Sequence, residues 1–152
     1  MDEKRLNKLL RNVKEFQGSF AINELENIEI KSCPDFLVIN LDERSGKGTH
    51  WIGVGIYQNA VYICDSLGGL VPGKTFPRKL INFLHVHTFN RKLFVTRQLQ
   101  PIQSDLCGAY CVLFVLEMSK HNSFFSFLSL FTTNFKQNDK IVSFLCKCSN
   151  KV

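Results

Sequence analysis

Apolar residues recur with a helical period at the start of the chain. Leu6, Leu9, Leu10 and Val13 stand at i, i+3, i+4 and i+7 within residues 2–16, mostly separated by charged or amide side chains. That spacing predicts an amphipathic helix. FQGSFAINELE follows, and the segment ends in a loop near Cys33-Pro34. FLVINL (36–41) is an apolar run of strand length broken only by Asn40, which reads as a buried strand. ERSGKGT (43–49) is a polar, glycine-rich loop. HWIGVGIY (50–57) and AVYICD (60–65) read as two more strands, separated only by Gln58-Asn59. A two-residue connection predicts a tight hairpin, and Asn tolerates the positive φ such turns favour.

Beyond the hairpin, SLGGLVPGKT (66–75) is a loop, with Gly68-Gly69 a flexible turn. PRKLINFLHV (77–86) reads as a helix with Pro77 in its first turn, and LFVTRQL (93–99) as a strand. Residues 104–120 form a long, mostly apolar helix, and SFFSFLSLF (123–131) and DKIVSFLCK (139–147) predict two more. The order is α, β, β-hairpin, α, β, α, α, α. The expected fold is α+β: a small, mostly antiparallel sheet packed on a central helix, with flanking helices. With 152 residues and 45% hydrophobic content, the chain suits a single domain over residues 1–152.

Composition narrows the setting. Charged residues are 21%, which is ordinary globular usage. No apolar run nears the ~20 residues of a membrane helix; AYCVLFVL (109–116) is the best candidate and stops at Glu117. The N-terminus, MDEKRLNKLLRN, lacks the apolar core of a signal peptide. The expectation is a soluble, intracellular monomer, neither secreted nor membrane-bound. The six cysteines then read as free thiols. The net charge of +6 is concentrated partly in Lys4, Arg5, Lys8, Arg11 and Lys14. It supports solubility, or weak nucleic-acid contact through a basic surface. No arginine-rich tract or nucleic-acid motif favours the second.

The chemistry concentrates in SDLCGAYC (104–111), where Cys107 and Cys111 lie about one helical turn apart. A nucleophilic cysteine needs a base, a group to hold the base, and donors for an oxyanion. Ser104 is a natural N-cap, which would make Cys107 the N3 residue. There, unpaired N–H groups and the helix dipole favour a thiolate. Gly108 beside it leaves room for a substrate backbone. Cys111 lies one turn deeper among apolar neighbours and reads as core. Asp105 reads as a first-turn partner of the dipole.

His50 opens the first hairpin strand. With the turn at 58–59, paired positions sum to 117, and Asp65 falls opposite Ile52. His50 and Asp65 are then diagonal neighbours on one face, a couple able to orient an imidazole. Gln100, seven residues before Cys107, is a candidate oxyanion donor, and Gln103 competes with it. Other readings exist. Cys107 and Cys111 could join Cys146-x-Cys148 and His121 around a metal, but CxC at a chain end is weak evidence; no metal site is assigned. His85 and His87, in HVH, read as a helix end and loop.

Taken together, THWIGVGIY, YICDSLGG and LQPIQSDLCGAYC resemble the adenovirus-type cysteine proteases. The likeness is nearest to the forms carried by adenovirus-like viruses and virus-like transposons of animals. The order His, acid, Gln, Cys is also that of the SUMO and ubiquitin-like-protein proteases, as are a Trp after the His and an Asp-Ser-Leu segment. FQGSFAINEL and the phenylalanine-rich helices extend the resemblance over most of the chain. It implies the papain-like superfamily arrangement, with the central helix carrying the nucleophile. It implies a cysteine endopeptidase cutting after small residues, typically glycine, and maturing virion precursor proteins in the host cell or the virion. Cys107 would be the nucleophile, His50 the base and Asp65 its orienting acid. Gln100 and the Cys107 N–H would form the oxyanion hole, and Trp51 would wall a narrow substrate cleft. Asp65 departs from the Glu usual in adenoviral enzymes. The sequence itself requires no cofactor. An activating peptide and DNA enter only through the resemblance, and residues 66–99 lack the cysteine that tethers such a peptide. The same residues leave open deconjugation of a ubiquitin-like modifier, or a non-catalytic binding module.

Overall fold

A computed structural model describes residues 1–68 and 76–148. Most of the 66–75 loop, including Gly69, lies outside the described residues. The elements are α1 (Glu3–Leu10), β1 (Phe16–Ala21), a 3₁₀ segment (Ile22–Asn27), β2 (Asp35–Asn40), β3 (Trp51–Ile56) and β4 (Ala60–Cys64). They continue with α2 (Arg78–Thr88), β5 (Lys92–Val95), α3 (Cys107–His121), α4 (Phe124–Ser129) and α5 (Phe135–Cys148). The strands form one sheet in the order β1-β2-β3-β4-β5. The central pairs, β2–β3 and β3–β4, are antiparallel, and the outer pairs, β1–β2 and β4–β5, are parallel.

The sheet is covered on both faces. Phe36 and Val38 belong to a core with Leu6 and Leu10 of α1, Tyr110 and Phe114 of α3, and Phe127 of α4. Leu37 and Ile39 belong to a second core with Leu80, Phe83 and Leu84 of α2. A strand buried on both sides has no polar face, which explains the unbroken run FLVI. β3 uses its faces differently. Ile52, Val54 and Ile56 fill the α2 side, while the alternate positions are Gly53 and Gly55. A Cβ on Gly53 would lie 2.7 Å from Phe114 Cδ1, and one on Gly55 would lie 3.1 Å from Phe36 Cε1. Glycine there lets aromatic rings lie directly on the strand. Through that contact, the sheet fixes the height of α3.

The α+β architecture agrees with the sequence expectation, but the sheet is evenly mixed rather than mostly antiparallel, because β1 and β5 add in parallel at its edges, and several boundaries shift. α1 stops at Leu10 because the chain turns and feeds β1, a strand the sequence reading missed. α2 extends to Thr88, so His85 and His87 both lie in its last turn. The hairpin has the expected two-residue turn, closed by Tyr57 N–H donating to Ala60 O at 2.8 Å, and its register sums to 117 throughout. Asn59 does not adopt the positive φ expected of it. The chain entering β5 holds the turn instead: Lys92 backbone N–H donates to Asn59 O at 3.0 Å, and the Arg91 side chain donates through Nε to Tyr57 O at 2.9 Å. No helix among the described residues is long and apolar enough to cross a membrane.

Candidate active site

The hairpin and α3 bring three of the sequence candidates to one place. His50 immediately precedes β3, and Asp65 immediately follows β4. His50 Nε2 and Asp65 Oδ1 are 2.8 Å apart, as the diagonal register requires. Asp65 Oδ1 also accepts Leu67 N–H at 3.0 Å. Thr96 holds the Asp65 backbone from both sides, accepting its N–H at 2.9 Å and donating to its carbonyl at 2.6 Å. Thr96 was not foreseen. It reaches Asp65 through the parallel β4–β5 pairing, which no local spacing reveals. With Nε2 engaged by the carboxylate, Nδ1 is the imidazole nitrogen left for the Cys107 thiol, with which His50 is hydrogen-bonded.

Cys107 is the first residue of α3, two positions nearer the helix start than the expected N3. Leu106, not Ser104, is the N-cap, because its carbonyl accepts both Ala109 N–H at 2.8 Å and Tyr110 N–H at 3.1 Å. Ser104 has other partners. Its hydroxyl accepts Leu106 N–H at 3.3 Å, and its carbonyl accepts Gln100 Nε2 at 3.0 Å. Asp105 is exposed and precedes the helix, so it is not the first-turn acid the sequence suggested. The shift leaves Cys107 at the helix end, where backbone N–H groups lack intrahelical acceptors.

The electrostatics follow from this placement. Burial disfavours a charged Cys107. The hydrogen bond from His50 and the backbone groups of Trp51 and Gly108 outweigh it, so the thiol titrates below its usual range. Burial likewise disfavours charged His50, but Asp65 and Cys107 together raise its pKa to about 9. The two shifts favour a thiolate beside an imidazolium. Cys111 behaves oppositely. It is fully buried, and burial with Cys64 alongside pushes its thiol well above the usual value.

Gln100 and Gln103 also separate. Gln103 is exposed, whereas Gln100 is 1% exposed, with its amide clamped between Ser66 Oγ (2.7 Å) and Ser104 O (3.0 Å). The backbone of Leu99–Gln100 is equally fixed. Both N–H groups donate to Ser66 O, at 2.8 and 3.0 Å, and Asn138 Nδ2 donates to Leu99 O at 2.9 Å. Trp51, next to His50, lines a cleft of about 240 Å³ with Asn40, Arg44, Lys47 and Gly48. Its indole N–H donates to Met1 O at 3.1 Å. A Cβ on Gly108 would lie 3.0 Å from Met1 Cβ and 3.4 Å from Trp51 Cδ1, so Met1 and Trp51 pack closely against this position and leave little room for a side chain on it. Among the described residues, no group of three or more His, Cys, Asp or Glu side chains is arranged to hold a metal. Cys146 instead packs under Ala109 O, 3.5 Å away.

No family model matches the sequence, and no curated protein matches it. The fold does have solved counterparts. The ASFV pS273R protease superposes with a TM-score of 0.54 over 92% of this chain at 15% identity. ChlaDub1 from Chlamydia trachomatis gives 0.47 over 97% of the chain, covering 77% of its own, also at 15% identity. The chain spans 64% of the length of the ASFV protease. At this identity the likeness to the ASFV protease is one of fold.

Proposed function

We propose that the chain is a cysteine peptidase. The observation that carries this reading is the His50–Asp65 pair, hydrogen-bonded at 2.8 Å, set against Cys107 at the first position of α3. Cys107 Sγ attacks the scissile carbonyl as thiolate, forming a carbon–sulfur bond and placing negative charge on the oxygen. Gln100 Nε2 and the Cys107 N–H donate to that oxygen. His50 gives its proton to the departing amine, the carbon–nitrogen bond breaks, and a thioester remains. His50, now neutral, takes a proton from water, whose oxygen attacks the thioester. The acid product leaves and Cys107 is regenerated. Asp65 keeps Nδ1 of the imidazole facing the sulfur throughout.

The close approach of Trp51 and Met1 to Gly108, the residue after Cys107, supports a preference for small residues before the cleaved bond, glycine first. The sequence resemblance supports virion precursor proteins as substrates, and peptide or DNA as activators to be added to the assay. A glycine-containing peptide is hydrolysed by the wild type and by Cys111→Ala, but not by Cys107→Ala; activity in Cys107→Ala would end the reading. A suicide probe built on a folded ubiquitin-like modifier tests the substrate class. It should leave the protein unlabelled while a short glycine-based electrophile labels it. The reverse would make the chain a deconjugating enzyme.

A further inference from the structure

Asp65 and Ser66 are adjacent in sequence, and each holds a different part of the site. Asp65 engages His50. Ser66, 1% exposed, donates its hydroxyl hydrogen to Gln100 Oε1 at 2.7 Å. Its carbonyl accepts the backbone N–H groups of Leu99 and Gln100, at 2.8 and 3.0 Å. Three hydrogen bonds therefore run from one buried serine to the segment that presents the oxyanion donor.

The side-chain bond matters because an amide has two ends. Gln100 can stabilise negative charge only with its nitrogen. Ser104 O, an obligate acceptor, draws Nε2 to one side at 3.0 Å. The Ser66 hydroxyl holds Oε1 on the other side. With both in place, Nε2 keeps a second N–H that has no partner among the described residues. Without the Ser66 hydroxyl, Oε1 is a buried acceptor lacking its donor, and the amide loses half of what fixes its orientation. We propose that Ser66 is a positioning residue for the peptidase reaction, holding the Gln100 amide with Nε2 toward the oxyanion. This rests on the peptidase reading above. Ser66 touches neither substrate nor nucleophile in this role; it acts through Gln100.

Such a role has a kinetic signature. Ser66→Ala should lower kcat about 3- to 10-fold, the equivalent of one net hydrogen bond, with KM unchanged. Ser66→Cys, nearly isosteric with a weaker donor, should fall between the two. Alkylation of Cys107 by iodoacetamide, which forms no oxyanion, should keep its wild-type rate and pH profile in both variants. That is a readout a general structural lesion would move. In a Gln100→Ala background, Ser66→Ala should cost nothing further in kcat, since there is no amide left to hold. If the two losses multiply instead, or alkylation slows in step with kcat in Ser66→Cys, the proposal is wrong while the peptidase reading stands. If the wild type shows no Cys107-dependent hydrolysis, that reading fails and this proposal with it.

Discussion

Replacing Asp65 with Asn tests the electrostatics directly. The two shapes are nearly identical, so the change removes charge rather than volume. In the wild type, His50 Nε2 and Asp65 Oδ1 are 2.8 Å apart, with side chains only 13% and 5% exposed. A hydrogen bond to a charged partner in such a place contributes about 1.5–3 kcal/mol. One pKa unit corresponds to about 1.36 kcal/mol. Losing the carboxylate should therefore lower the His50 pKa by about one to two units, starting from about 9. The sign follows from which form loses its partner. Imidazolium is stabilised by the carboxylate, so without it the proton leaves at lower pH. Cys107 in turn loses part of its cationic neighbour, and its thiol pKa should rise. The pH window holding thiolate and imidazolium together narrows from both sides, and kcat/KM should fall by about 10²-fold or more. The direct assay is NMR titration of ¹⁵N-histidine-labelled protein, with the His50 resonance assigned by His50→Gln. An Asp65→Asn variant in which His50 still titrates near its wild-type value would refute the reasoning.

The remaining predictions concern stability and substrate binding. Gly53→Ala places a methyl 2.7 Å from buried Phe114 Cδ1 and should destabilise the protein by about 1–3 kcal/mol, read as a lower urea midpoint at unchanged m. Asn138 is fully buried and bonds Thr132 N–H, Thr132 O and Leu99 O at 2.9–3.0 Å. Asn138→Ala should cost about 2–4 kcal/mol by stranding those groups, and chemical denaturation will show it. Trp51→Ala should raise KM for glycine-containing peptides more than it lowers kcat, since the indole lines the cleft and takes no part in the bond-making steps. Steady-state kinetics on one peptide series separates the two.

Local periodicity made much of this molecule legible. The His50–Asp65 geometry followed from one two-residue turn and strand alternation, because an antiparallel register is fixed by what lies between the strands. FLVI reads as buried for the same local reason. The misses are non-local. β1 contains Gln17, Gly18 and Ser19 and becomes a strand only by pairing in parallel with β2, about twenty residues further on. Thr96 and Ser66 reach their partners across the parallel β4–β5 edge, and loop closure of that kind leaves no period. The start of α3 was misplaced because Ser104 looks like a cap. In three dimensions its carbonyl serves Gln100, and a leucine takes the cap position. Sequence separated the two cysteines by depth, and the structure adds a cause. One thiol ends a helix beside an imidazole, and the other lies fully buried beneath it.

The most direct measurement is mass spectrometry of the intact protein after brief exposure to a glycine-based thiol electrophile at neutral pH. The account predicts a single adduct, mapped to Cys107, formed faster than on free cysteine and absent from Cys107→Ala, with Cys111 unmodified. Labelling at Cys111, or no Cys107 adduct under conditions that consume free cysteine, would contradict it.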